Sequence, residues 1–204
     1  MSEQNKSSNK FFYFIMVLMI AILVFVLYLN NNYKLVDVSG SSMYPTLESG
    51  DVLFMSNVDV DEYGDITTKN GDIIIIEGEK VDFKGESKLL IKRQIAKGEK
   101  DRKVIVEIKD GYVYVDGEML KEEYLSAQAI TDSKGEKNRW ELYENDIFYL
   151  GDNRSDSMDS RYDEYGLCST SQVVGIVEQK AISYKWFSKA IYDLSNFFKG
   201  IFNN

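Results

Sequence analysis

The sequence predicts a mainly β fold: a membrane-anchored domain of antiparallel sheets, with one N-terminal transmembrane helix and a C-terminal amphipathic helix. Three observations predict it. Residues Phe11–Leu29 carry no charge and no strongly polar side chain. From Lys34 to Val177 short apolar runs are broken by Gly, Asp and Asn, the punctuation of strands and turns. Beyond Ile182 apolar residues recur at helical spacing.

The elements follow in order. Residues 1–10 form a short tail, and 11–29 suit a helix crossing the hydrocarbon layer, which takes roughly 20 apolar residues. A cleavable signal peptide is the rival reading. Against it stand Asn30, Asn31, Asn32 and Tyr33, where a small-x-small site would be needed. Lys6 and Lys10 precede the apolar run and only Lys34 follows it closely, so positive charge places the N-terminus in the cytoplasm and the rest outside.

Residues 30–181 read as one extracytoplasmic domain. Expected strands are Lys34–Ser39, Val52–Ser56, Asp72–Ile76, Lys88–Ile95, Val104–Ile108, Tyr112–Val115, Asp146–Leu150 and Gln172–Val177. Asp110-Gly111, between two of these runs, is a hairpin signal. Over 182–204, Trp186, Phe187, Ala190, Ile191, Leu194, Phe197, Phe198, Ile201 and Phe202 share one face of a helical wheel. Such a face suits packing on the domain or lying along a membrane surface.

Composition narrows the chemistry. A net charge of −9 argues against a nucleic-acid-binding surface, which needs a concentrated cationic face. The chain has no histidine, which removes the Ser-His-Asp triad, the Cys-His dyad and every histidine-ligated metal site. Its single cysteine, Cys168, allows no internal disulfide and no thiolate cluster. Lysine tuned by burial is then the main base left for nucleophilic catalysis.

Three constellations carry chemistry. Val38 to Leu47, with Gly50-Asp51 following, places a small-residue turn after a strand, where a hydroxyl and backbone N–H groups can be presented together. An ordinary loop has the same composition, but this turn holds the only proline, Pro45. Lys92 and Arg93 lie inside the apolar run Leu89–Ile95. Neighbours on a strand face opposite ways. One cation directed inward loses hydration, and a buried lysine becomes neutral more readily; an edge-strand lysine guarding against aggregation is the plainer alternative. Gly151–Arg161 packs Asp, Arg, Ser and Asn directly behind Ile147–Leu150, which suits a hydrogen-bonded loop. Its spacing fails the calcium-loop pattern of alternating acids and a terminal Glu.

In this order, behind one apolar helix, the motifs resemble the bacterial type I signal peptidases. Gly40–Asp51 matches the family's serine box, Lys92-Arg93-Gln94-Ile95 its lysine box, and Gly151–Arg161 its G-D-N-R-x-x-S-x-D-S-R box; Asp110–Leu125 is similar to its hairpin. The resemblance implies a serine endopeptidase that removes signal peptides from exported preproteins, needing no metal or cofactor. Ser42 would be the nucleophile and Lys92 the general base. Ser157 would orient the Lys92 amine, and ion pairs Asp152–Arg93 and Asp159–Arg161 would shape the site. The Ser42 N–H would be one oxyanion donor. Some members place a serine two residues before the nucleophile as the second donor, but here that position is Gly40.

Substrate would lie extended along Val36–Val38 and Leu89–Ile91, with Val36, Val38, Met43, Leu90 and Ile91 receiving small side chains. The partners implied are signal peptides and membrane lipid. Ala96–Asp101 departs from the family's usual G-L-P-G-D turn, and the short span between the last two boxes implies a small accessory region. Two rivals remain: a non-enzymatic or locus-dedicated relative serving pilus or surface-protein assembly, and a cytosolic self-cleaving Ser/Lys protease. The Ser42/Lys92 pair opposes the first in its non-enzymatic form. The apolar helix and the last box oppose the second.

Overall fold

The computed structural model describes residues 3–62, 65–81, 87–177 and 182–202. It divides into two units, residues 1–34 and 35–204. The first is essentially one helix, α1 (Glu3–Asn32), which contains the whole apolar run Phe11–Leu29. Every described side chain from Phe11 to Tyr28 is exposed. Among the described residues, no helix is long and apolar enough to cross a membrane. The side chains of Val26 and Leu29, which complete the apolar run, lie outside that description.

The larger unit is antiparallel β. Its strands are β1 (Tyr33–Asp37), β2 (Val52–Ser56), β3 (Ile73–Val81), β4 (Ser87–Lys97), β5 (Val104–Lys109), β6 (Tyr112–Val115), β7 (Glu118–Met119), β8 (Arg139–Leu142), β9 (Asp146–Leu150), β10 (Cys168–Ser169) and β11 (Val173–Val177). A seven-stranded sheet runs β1-β2-β11-β3-β4-β9-β10, and a four-stranded one runs β7-β6-β5-β8. The chain closes with α2 (Lys185–Phe202).

Local chemistry explains the hairpins. Asp110 and Gly111 have φ of 54° and 86°, the positive pair that a tight I′ turn needs between β5 and β6. Asp116 and Gly117 repeat it at 51° and 83° between β6 and β7, so the same dipeptide makes a second hairpin that the strand pattern alone did not predict.

β3 is apolar at every position from Ile73 to Ile76 because both faces of the large sheet are covered. Ile73 and Ile75 join Val38, Met43, Leu47 and Ile91 on one face. Ile74 and Ile76 join Leu90, Tyr149 and Cys168 on the other. A third cluster sews the two sheets together: Trp140 of β8 meets Phe148 of β9 with ring centroids 4.8 Å apart, beside Ile95, Val106 and Leu150. Burying such rings contributes about 1 kcal/mol beyond area alone.

α2 packs on β2. Phe187 lies 6.3 Å from the ring of Phe54, Lys185 pairs with Asp51 at 2.5 Å, and Ser188 is fully buried. This alters the helical-wheel expectation: Phe187 and Ser188 face the domain, while Trp186 points out, 71% exposed, and Ala190 is exposed too. The side chains of Leu194, Phe197, Phe198, Ile201 and Phe202 lie outside the described residues.

Candidate active site

The serine turn is built by its ends and its anchors. Val38 N donates to Asp51 O and Gly50 N to Val38 O, both at 2.8 Å, which closes the loop onto the end of β1. Gly40, at φ 95°, turns the chain where other residues would be strained. Met43 and Leu47 drive into the core, so the turn has one buried side and presents Ser41 and Ser42 on the other.

Lys92 arrives from β4. Its Nζ lies 2.7 Å from Ser42 Oγ and 3.1 Å from Ile91 O, and the residue is only 4% exposed. Arg93 leaves the same strand on the opposite face, is equally buried, and holds Asp152 through two bonds, Nε to Oδ1 at 2.8 Å and Nη2 to Oδ2 at 2.5 Å. The second Asp152 oxygen also accepts from Thr46 Oγ1 at 2.5 Å, which ties the end of the serine turn to the same carboxylate.

Gly151–Arg161 docks on this pair backbone first. Asn153 N donates to Ser42 O at 3.0 Å and Asn153 Nδ2 to Ser41 O at 3.2 Å, while Ser41 Oγ donates to Asp156 Oδ2 at 2.6 Å. None of the described hydrogen bonds uses the Ser42 N–H. Asp159 accepts from Gly151 N at 3.0 Å and pairs with Arg161 at 2.8 Å; both side chains are fully buried.

Gly151 is there because nothing larger fits. A Cβ on it would stand 2.2 Å from Ser157 Oγ and 2.3 Å from Ser42 O. Ser157 Oγ is itself buried and has no hydrogen-bond partner. The bond to Lys92 expected for this hydroxyl is therefore not made; the hydroxyl packs instead against Gly151, beside the Ser42 carbonyl.

A groove of about 580 Å³ opens over the pair. Val36, Val38, Met43, Leu90 and Ile91 line it together with Ser42, Lys92, Asp156 and Tyr165. Among the described residues no cluster of three or more His, Cys, Asp or Glu is arranged to hold a metal ion.

Several residues around the site had no signal in the sequence. The Tyr124 ring lies 3.8 Å from the Arg93 guanidinium. Burial pushes the Tyr124 hydroxyl well above its ordinary pKa, and the neighbouring Glu122 charge adds to this. Arg154 is paired with Glu122, and Thr131 accepts from it at 2.5 Å. Burial opposes the charge on Arg154, but the Glu122 carboxylate more than offsets this and leaves its pKa raised. A lone Glu, Tyr and Thr in an irregular segment carry no local pattern, and only the fold brings them here.

Comparison of the sequence with known proteins shows one family. The signal peptidase family model, peptidase S26, matches residues 10–182. The chain is 35% identical to signal peptidase I T of Bacillus subtilis (strain 168), over 83% of this chain and 84% of that protein. It is 37% identical to a signal peptidase I of Bacillus amyloliquefaciens, over 68% of each. A solved signal peptidase I from Enterococcus faecalis V583 aligns with 59% of this chain and all of its own, at 23% identity and a TM-score of 0.41.

Proposed function

This chain belongs to the peptidase S26 family of signal peptidases, its function is that of a signal peptidase I, and we propose that it cleaves preproteins with Ser42 as nucleophile and Lys92 as base. The observation that carries the dyad is the 2.7 Å approach of Lys92 Nζ to Ser42 Oγ, at a buried lysine in a chain without histidine. Burial disfavours the ammonium form, and only a neutral amine accepts a proton.

Ser42 Oγ attacks the scissile carbonyl while its proton passes to Lys92 Nζ. The oxyanion accepts from the Ser42 N–H. Collapse breaks the peptide bond, and Lys92 returns the proton to the departing amine. Water, deprotonated by Lys92, then clears the acyl-enzyme and restores the serine hydroxyl. Asp152 with Arg93, and Asp159 with Arg161, hold the backbone around these atoms, and Ser157, packed against Gly151, supports the Ser42 carbonyl. Substrate lies extended over Val36, Val38, Met43, Leu90 and Ile91, and the family resemblance implies small side chains at the first and third positions before the cut. Residues 89–91 of β4 pair with β3 on one side, while the described pairing with β9 begins only at Arg93, which supports strand addition at that edge.

The protein works at a membrane. A single span at Phe11–Leu29, with the N-terminus cytoplasmic and the domain outside, is supported by the apolar run within α1 and the flanking lysines. The test is cleavage of a preprotein by the full chain in detergent: Ser42→Ala and Lys92→Ala must each be inactive while folded. Substantial activity in either removes that residue from the mechanism.

A further inference from the structure

Between β7 and β8, residues 120–132 form neither helix nor strand. Leu120 packs against the cluster around Trp140, whereas Ile130, Ser126, Ala127 and Gln128 are exposed. The segment's described polar contacts with the site go to three arginines around it. Tyr124 covers Arg93, Glu122 and Thr131 grip Arg154, and the Asp132 carbonyl accepts from Arg161 at 3.2 Å.

Arg154 is the link to the reacting atoms. Its side chain is 1% exposed, and its Nε donates to Gly151 O at 3.2 Å. Gly151 is the residue wedged between Ser157 Oγ and Ser42 O, with no room for a Cβ. A shift of the Gly151 peptide therefore moves both hydroxyl-bearing residues. A buried ion pair adds little net stability over an apolar replacement, whereas removing one partner leaves a buried charge that must move or be rehydrated.

We propose that Glu122, acting through Arg154, is a positioning residue for catalysis: it fixes Gly151 and, through the packing of Ser157 Oγ on that glycine, holds Ser42 beside Lys92. The proposal rests on the dyad reading and adds to it a residue distant in sequence from all three boxes. Misplacement of reacting groups by about 1 Å costs on the order of 100-fold. Glu122→Gln is expected to lower kcat about 10- to 100-fold with KM within about twofold, and Glu122→Asp to lose less.

The deciding measurement is a double-mutant cycle on the full chain in detergent. The substrate is a peptide with alanine at the first and third positions before the cut, and the folded fraction is checked by thermal denaturation. If Glu122 acts through the Gly151–Ser157 contact, Glu122→Gln in a Ser157→Ala background loses little more than Ser157→Ala alone. Full additivity, an effect confined to KM, or unchanged kcat in Glu122→Gln overturns the proposal. Should Glu122→Gln fail to fold, Thr131→Val removes one acceptor of the same arginine at nearly constant volume, and the same cycle decides. If Ser157→Ala is itself fully active, the assigned role of Ser157 fails and the proposal with it. If Ser157→Ala is impaired but neither Glu122→Gln nor Thr131→Val is, only the present inference fails.

Discussion

Lys92 and Arg93 are neighbours in β4 whose side chains leave the strand on opposite faces, and both are buried. One strand thus supplies a cation to each covered side of the sheet: Lys92 meets Ser42 and Arg93 meets Asp152. The two differ in what their loss removes. On the proposed mechanism Lys92→Ala deletes the base and Ser42→Ala the nucleophile, so each is expected to lower kcat by roughly 10⁴ or more. Both substitutions leave the buried pairs Arg93–Asp152 and Arg161–Asp159 in place, so the thermal midpoint should move little. A mutant retaining more than a few per cent of activity would count against its residue.

Arg93 should show the reverse. Asp152 is fully buried and neutralises Arg93 through two bonds while accepting from Thr46. Asp152→Ala strands the guanidinium in the core, at a cost of about 3–5 kcal/mol. Urea denaturation of the full chain in detergent checks this, and a loss below about 1 kcal/mol would mean that the arginine finds water or another partner.

Gly151 gives a prediction about space. Its missing Cβ would lie 2.2 Å from Ser157 Oγ and 2.3 Å from Ser42 O, and one of these is backbone that cannot rotate away. Gly151→Ala is expected to destabilise by about 1–3 kcal/mol, the usual range for overpacking. It should also reduce kcat strongly, because the displaced atoms belong to Ser42 and Ser157. A mutant as active as the parent would show that the loop shifts as a body without disturbing the serine.

How much of this was legible in the sequence depends on where each signal resides. Strands β2, β6 and β9 fall on the expected bounds because apolar runs between turn residues mark both their ends. β3 runs on to Val81 through Glu77, beyond any apolar pattern, because pairing with β4 carries it. β8 was missed although Arg139, Trp140, Glu141 and Leu142 alternate out and in, a four-residue strand with charges at half its positions. β10 has only two residues, too few for any period. In the site, Ser42 and Lys92 were each ambiguous alone and took their roles from the order of the three boxes, of which Gly151–Arg161 is the most specific. Glu122, Tyr124 and Thr131 carried no such signal, since their meaning comes from arginines distant in sequence. The unmade bond of Ser157 was equally invisible, because a motif names a residue and not its rotamer.

Cys168 offers a check on the core through pH. Burial pushes its thiol from 9.0 up to about 12. The folded chain therefore keeps a proton that the unfolded chain releases above about pH 9. By linkage, this group's contribution falls as pH rises from about 9 to about 12, by at most about 1.4 kcal/mol per unit, and is constant below 9. At pH 8 the folded protein should resist iodoacetamide while the urea-unfolded chain is alkylated fully. Rapid alkylation of the native protein would place the thiol within reach of solvent.

The C-terminal helix supplies the last prediction, because two adjacent aromatics face different surroundings there. Phe187 lies against Phe54 of β2, and beside it Ser188 is buried and Lys185 pairs with Asp51. Trp186 next to it is 71% exposed, with Tyr184 exposed nearby. Removing Phe187 takes a ring out of a contact on the domain, and large-to-small changes at buried aromatics cost about 3–5 kcal/mol, less at this partly exposed site. Phe187→Ala should therefore lower the thermal midpoint of the full chain without changing its preference for membranes. Trp186 contributes little to folding, but an indole suits the headgroup layer, where one end of the ring stays wet. Trp186→Ser should leave the midpoint unchanged and slow cleavage of membrane-inserted preprotein, while a soluble peptide is cut at the parental rate. Equal slowing on both substrates would place Trp186 in the chemistry of the groove instead. A drop in midpoint for Trp186→Ser, with no change for Phe187→Ala, would invert the assignment and put the indole on the inner face of α2.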